Sequence, residues 1–487
     1  MNAETQRRGA VNSNLFSVPL RLCVHLFVCL TLIALFQSGC TNFPSFGAKK
    51  FAPTSWPEAN AILARISPPK FPDRKFPITS YGAIAGETND SSDAIRKAID
   101  ACYAAGGGHV IVPAGTFLTG PITLKSNVDL HLEEGSTLLF KTDPNAYLPA
   151  VFTRYEGMEF YNYSPFIYAM EQQNIAVTGS GTLDGQASQE NWWGWTRRMG
   201  QARNRLTQMV ADNVPVEERR FGEGDFMRPN FFQPYRCKNV MVEGVHIRRS
   251  PMWEINPVLC TNVIIRNLDI VSHGPNNDGA DPECCTDVLI EGCLFDTGDD
   301  CIAIKSGRNN DGRRIGVAAS NHVIRNCSMK DGHGGVTIGS EISGSCRNVF
   351  VENCTMDSPN LDRVFRFKSN LLRGGVIENI HMRNVTVGRV GQDVLQIDFV
   401  YEGNPQGPFV PLARNISMEN VTVKQTPRIL NVVGCAGSTI DNVRLINCTF
   451  ENVQRADVVR DAQDVQLINC KVDRAAPATQ PVSTTGF

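Results

Sequence analysis

The chain has 487 residues, 42% of them hydrophobic and 20% charged, with a formal charge of −2. This is the composition of an ordinary folded protein and excludes a disordered chain. So small a charge argues neither for nor against a polyanionic ligand, and no nucleic-acid partner is expected.

The first element is not part of the fold. Arg7, Arg8 and Arg21 precede an apolar run from Leu22 to Phe36 that ends in Gln37-Ser38-Gly39-Cys40. A basic region, a short apolar core and small residues before a cut describe a secretory signal over residues 1–40. The run falls short of the ~20 residues a spanning helix needs. Cys40 after Ser-Gly fits a bacterial lipoprotein site, so the expected membrane contact is a lipid anchor at Cys40. The expected location is the periplasm or the outer membrane as a lipoprotein, with plain secretion as the alternative. Residues 41–72, rich in Pro, Ala and Ser, read as a tether.

The folded region is expected from residue 73 to 474. Pro77 to Ala83 is strand-like, and Asn89-Asp90-Ser91-Ser92 is a plausible helix start. Ala94, Ile95, Ala98, Ile99 and Cys102 then share one helical face before Gly106-Gly107-Gly108. One amphipathic helix ahead of a long β region suits a cap on the exposed end of a solenoid. The tail, 475–487, is expected to be disordered.

From Lys238 onward one unit recurs. Asn239-Val240-Met241-Val242-Glu243-Gly244, Asn262-Val263-Ile264-Ile265-Arg266-Asn267 and Asn348-Val349-Phe350-Val351-Glu352-Asn353 share a form. Their closing Gly or Asn markers, at 244, 267, 292, 326, 353, 384, 420, 447 and 469, are 22 to 36 residues apart. Each unit alternates apolar and polar residues as a half-buried strand does. The spacing is too long for hairpins and too short for a repeat carrying a helix. An all-β chain folded as a single-stranded right-handed parallel β-helix is the architecture that fits, with an internal ladder of stacked asparagines. Sixteen cysteines in an exported chain would suggest disulfides. Cys293, Cys327, Cys354, Cys448 and Cys470, however, all directly follow a marker, which reads as an internal column of buried thiols. Pairing of Cys284, Cys285 and the others stays open, and no zinc-type spacing occurs.

Aligned on the markers, four polar clusters fall on consecutive turns: Asn276-Asn277-Asp278, Gly298-Asp299-Asp300, Gly332-His333-Gly334 and Arg366-Phe367-Lys368. Each alone has a plain reading. Asn277-Asp278-Gly279 is a turn former, Asp299-Asp300 a solvated loop or a calcium ligand pair, and Arg366 and Lys368 a charged outer face. Their shared register is what points to a site. Three packed carboxylates resist simultaneous ionisation, so one keeps a proton near neutral pH. That proton suits a leaving sugar oxygen, and the remaining carboxylates can polarise a water. His333 can tune the acid, and two cations on one strand face can hold an anionic group. Residues 308–314 and the segment Trp192-Trp193-Gly194-Trp195 are candidates to close one end of the cleft.

These four motifs, with Tyr81-Gly82-Ala83 through Gly115-Thr116-Phe117, resemble glycoside hydrolase family 28, the polygalacturonases. The family carries Asn-Thr-Asp, Gly/Gln-Asp-Asp, Gly-His-Gly and Arg-Ile-Lys; here Asn277 stands for Thr and Phe367 for Ile. The resemblance runs from about Ile78 to Asp473 and implies a pectin-lyase-like β-helix. It implies an inverting hydrolase of α-1,4-linked galacturonate in pectin, with the excursion after Ser306 and Gly339-Ser340-Glu341 most like bacterial exo-acting members. Carried over by position, Asp299 is the general acid and Asp278 and Asp300 activate water. His333 supports the acid, Arg366 and Lys368 bind a uronate carboxylate, and Tyr401 contacts substrate. Inversion predicts carboxyl groups ~6.5–9.5 Å apart. No cofactor and no metal are expected. The alternatives are a hydrolase of rhamnogalacturonan or xylogalacturonan, a calcium-dependent pectate lyase, or a pectin-binding adhesin.

Overall fold

The structure, a computed structural model, describes Thr54 and residues 56–475. The expected signal sequence with Cys40, the start of the expected tether and the tail after Ala475 lie outside the described residues.

Strands stack into two sheets of thirteen and one of six, and successive turns pair in parallel. One turn runs Thr286–Glu291 in the first sheet, Leu294–Thr297 in the second and Ile302–Ile304 in the third. The next repeats this as Ala319–Arg325, Ser328–Met329 and Val336–Ile338. Between first and second sheets the chain turns at the marker. Gly244, Asn267, Gly292, Asn326, Asn353, Asn384, Asn420, Asn447 and Asn469 all have positive φ. Only glycine and, at small cost, asparagine occupy that left-handed region readily, which is why those two types alternate there.

Behind the marker the chain points inward. Cys293, Cys327, Cys354 and Cys448 are buried, as the column requires, and Cys470 partly so. All thirteen cysteines among the described residues are free thiols, Cys284 and Cys285 included. The asparagine ladder also exists, but on the flank. Asn239 donates to Asn174 at 2.8 Å, Asn262 to Asn239 at 2.8 Å, and Asn379 to Asn348 at 3.2 Å, each from the first half of its strand and most of them only part-buried. Each of these asparagines has a positive φ, and the ladder runs along the flank of the first sheet.

Helix α1 (Pro57–Leu63) and its flanks correct the expected tether. Arg65 makes a two-point ion pair with Asp287 (3.0 and 2.6 Å), and Ser67 exchanges hydrogen bonds with Asn262. Trp56 lies 3.6 Å under the Arg383 guanidinium. Residues 56–67 are therefore docked along the coil's flank rather than free. Helix α2 (Ser92–Ala104) buries Ala94, Ile95, Ala98, Ile99 and Cys102, the face expected from its spacing.

One element breaks the parallel pattern. Val151–Tyr155 and Met158–Asn162 form an antiparallel hairpin with a two-residue loop, Glu156-Gly157, both at positive φ. Its apolar residues form a second core with helix α3 (Gly200–Ala211) and with Met252 and Trp253. It lies over the outer face of the third sheet's early turns. Arg154 pairs with Glu283 at 3.0 Å, Glu159 accepts from the Tyr235 hydroxyl, and Thr153 donates to Gln233. Gln233, Tyr235, Asn256 and Glu283, which would otherwise face solvent, are all buried.

Candidate active site

Immediately beyond the hairpin the third sheet opens, and the four clusters converge there in one cleft. Asn277 shapes the first. Its carbonyl oxygen accepts from Ser272 Oγ and the Gly274 N–H (both 2.7 Å), and its amide donates to the carbonyls of Ser250 and Met252. The plain turn reading thus holds for Asn277, and that turn aims Asp278 into the cleft. Asp299 and Asp300 sit in the short link between second and third sheets. One turn on, the His333 N–H donates to the Asp299 carbonyl at 3.1 Å. The glycines beside His333 have steric causes. A Cβ on Gly332 would lie 2.7 Å from the Asp299 carbonyl oxygen, and one on Gly334 would lie 2.9 Å from Asp300 Oδ1.

Asp278, Asp299 and Asp300 each place a carboxylate oxygen within 4.8 Å of the others. This is the distance between nearest oxygens, and not the carboxyl-to-carboxyl separation of ~6.5–9.5 Å that inversion predicts. Asp299 and Asp300 share one link, and Asp278 stands on the turn before it, one rung of ~4.8 Å away. Their surroundings differ sharply. Asp300 is fully buried, and burial alone would raise its pKa. Lys368 Nζ at 2.8 Å from Oδ2, Arg366 at 3.2 Å from Oδ1 and the nearby Lys305 charge outweigh that and hold it well below the usual carboxylate range. Asp300 is therefore a permanent anion and a poor proton acceptor, which narrows its expected role as a base to orienting a water. Asp278 is pushed up, first by burial and then by Asp281 and Asp299. Its Oδ2 lies 3.5 Å from Lys305 Nζ, and its Oδ1 has no hydrogen-bond partner among the described residues.

Asp299 meets His333 at 2.9 Å (Nδ1 to Oδ1), and that hydrogen bond raises the histidine above its usual ~6.5 against the opposing effect of burial. The histidine therefore keeps its proton to higher pH than it would without Asp299. His333→Ala is therefore expected to move the alkaline limb of kcat/KM to lower pH. A limb that stays put, measured on a short oligogalacturonate, would show that the histidine does not hold the acid's proton.

Arg366 and Lys368 share the outer face of Arg363–Lys368, with Phe365 and Phe367 buried behind them. Both are engaged with Asp300 and both approach the Tyr401 ring, at 5.9 and 5.4 Å from its centroid. Tyr401 lines the cleft, as do Asp278, Asp299, His333, Arg366 and Lys368. All seven expected site residues are thus brought together, with Asp300 just beneath the lining.

Other cleft residues were not anticipated. Lys305 stands at the end of the strand that follows Asp300, and Glu341 one turn above it. Glu156 from the hairpin tip binds Arg203 (2.6 Å) and Arg308 (2.9 Å), and Arg308 in turn meets Glu402 at 3.3 Å. Helix α4 (Asn309–Ile315) overlaps the expected closing segment 308–314 and is fixed through Asp311, which accepts from Arg219 at 2.7 Å. The tryptophans do not reach the cleft. Trp192 is buried against Tyr147, Phe166 and Trp195, and Trp193 donates to the Ser250 carbonyl behind the Asn277 turn.

A parallel β-helix bearing a carboxylate cluster faced by paired cations is a polysaccharide-processing arrangement. The model of glycosyl hydrolases family 28 matches residues 222–426, which contain all seven of the expected site residues. The chain is 40% identical to a hyperthermoactive exopolygalacturonase from Thermotoga maritima, over 85% of this chain and 95% of that one, with a TM-score of 0.82. It is 24% identical to an exo-poly-alpha-D-galacturonosidase of Dickeya chrysanthemi over 83% of this chain and 72% of that protein. To a probable polygalacturonase of Vitis vinifera it is 28% identical over 58% of this chain, and it spans 54% of that relative's length. The chain belongs to glycosyl hydrolases family 28, and it is a glycosidase.

Proposed function

We propose that the chain hydrolyses the α-1,4-galacturonosyl linkages of polygalacturonate from the ends of the polymer, by an inverting acid/base mechanism. The observation that carries this reading is the meeting of Asp278, Asp299 and His333 with Arg366 and Lys368 in one cleft. The Asp299–His333 pair gives its proton to the leaving oxygen as the glycosidic C–O bond breaks. Asp278 takes a proton from water as the new C–O bond forms on the opposite face of the ring. Arg366 and Lys368 attract the uronate carboxylate, and Asp300 holds them in place. End-directed action is supported by the hairpin, which covers the early turns beyond Asp278 on that side. The Thermotoga and Dickeya relatives, an exopolygalacturonase and an exo-poly-alpha-D-galacturonosidase, agree with it.

A calcium-assisted lyase is disfavoured by charge. Arg366 and Lys368 already pair with Asp300 and Lys305 with Asp278, two of the three carboxylates that would have to ligate the ion, and His333 holds the third, Asp299. The test is the product profile on polygalacturonate, followed by NMR. Galacturonate monomer from the first minutes, initially as the β anomer, is expected. A descending ladder of oligomers would remove the end-directed reading, an α anomer the inverting one, and unsaturated products the hydrolase itself.

A further inference from the structure

Lys305 is buried beside the cleft, with its ammonium 3.3 Å from Asp281 Oδ1, 3.3 Å from Glu341 Oε2 and 3.5 Å from Asp278 Oδ2. It also lies 4.2 Å from the centroid of the Trp253 ring. Asp281 is fully buried, does not line the cleft, and neither of its oxygens has a hydrogen-bond partner among the described residues. One cation thus stands among three acids, of which Asp278 and Glu341 line the cleft and Asp281 does not. We propose that Lys305 and Asp281 are positioning residues for Asp278. Lys305 anchors one oxygen of Asp278, and Asp281 carries the proton that two buried acids around one ammonium must share, leaving Asp278 as the ionised member that lines the cleft. This rests on the hydrolase reading above.

The charges around the cluster fit that division. Burial pushes Asp281 up, against the pull of Lys305. Glu341 is pushed up by burial but held low by Lys305, Arg308, Arg373 and Lys368, so it stays ionised and keeps the ammonium charged. Asp299 and Asp300 face Asp278 from the next turn and add to its repulsion. Two acids sharing one proton is the arrangement that lets a deeply buried carboxylate act as a base at neutral pH. The proton belongs on Asp281, because an anion there would have no water to solvate it, whereas Asp278 opens onto the cleft.

Two substitutions test this arrangement. Lys305→Met removes the cation that lowers Asp278, so the acid limb of kcat should rise by about one pH unit. That is about a tenfold loss of rate below the limb, with KM little changed. Asp281→Asn puts a neutral amide where a neutral acid stood, so its acid limb should stay in place, whereas an anionic Asp281 would let the limb fall when its charge is removed. If Lys305→Met fails to fold, the limb of Asp281→Asn decides. An unmoved acid limb in Lys305→Met, a fallen one in Asp281→Asn, or movement of the alkaline limb instead overturns the proposal while leaving the hydrolase reading intact. Absence of galacturonate release by the unaltered chain overturns both.

Discussion

Asp299→Asn is expected to lower kcat on oligogalacturonate by ~10²–10⁴-fold, the contribution of a positioned general acid. The fold should be untouched. Asparagine has the same shape, and its carbonyl oxygen can still accept from the Asp300 N–H (2.9 Å) and from His333. Neither bond needs a carboxylate, and the side chain sits at the cleft rather than in the core. What the amide cannot do is hold the transferable proton. KM should change little, because attraction of the uronate falls to Arg366 and Lys368. Measurement of kcat and KM together with thermal melting separates the cases. Full activity in a folded variant would remove Asp299 from the mechanism.

Lys368→Met should be the most damaging change to stability within the site. Removing one partner of a buried ion pair costs ~3–5 kcal/mol, and the lower end applies because Arg366 remains on Asp300. The pH dependence has a definite sign. Asp300 has a folded pKa below its unfolded value, so its contribution is fully present above the unfolded carboxylate pKa, ~3.9. It is lost as pH falls through the folded value. The gap between the two proteins should therefore be widest near neutral pH and narrow below about pH 4. Denaturant melts at pH 7 and pH 3.5 check this. A gap independent of pH would mean that Lys368 stabilises through packing alone.

The repeat was legible because a backbone constraint left a residue-type trace. A left-handed turn admits glycine and asparagine, and both appear at the markers with an inward cysteine after them. Once the turns were in register, Asp299 and His333 had to be neighbours, and Arg366 and Lys368 had to share a face. The hairpin had a signal too, the two-residue Glu156-Gly157 loop between five-residue apolar runs. It was obscured because each run also resembles one more strand of the coil. Lys305 had none. It is a single charge closing an apolar run, and its partners Asp278, Asp281 and Glu341 come from the turns on either side through links of unequal length. The docking of Trp56 and Arg65 likewise rests on single residues that carry no periodicity.

The hairpin over the early turns has a consequence for how such a molecule meets its substrate. With Arg154, Thr153 and Glu159 filling the groove below Asp278, a long polymer offers very few productive places to bind, whatever its mass. The effective substrate concentration is the molar concentration of chain termini. Two solutions of equal weight but different chain length are, to this cleft, solutions of different strength. An enzyme that cuts polymers in the middle would enrich them for it without contributing a single monomer.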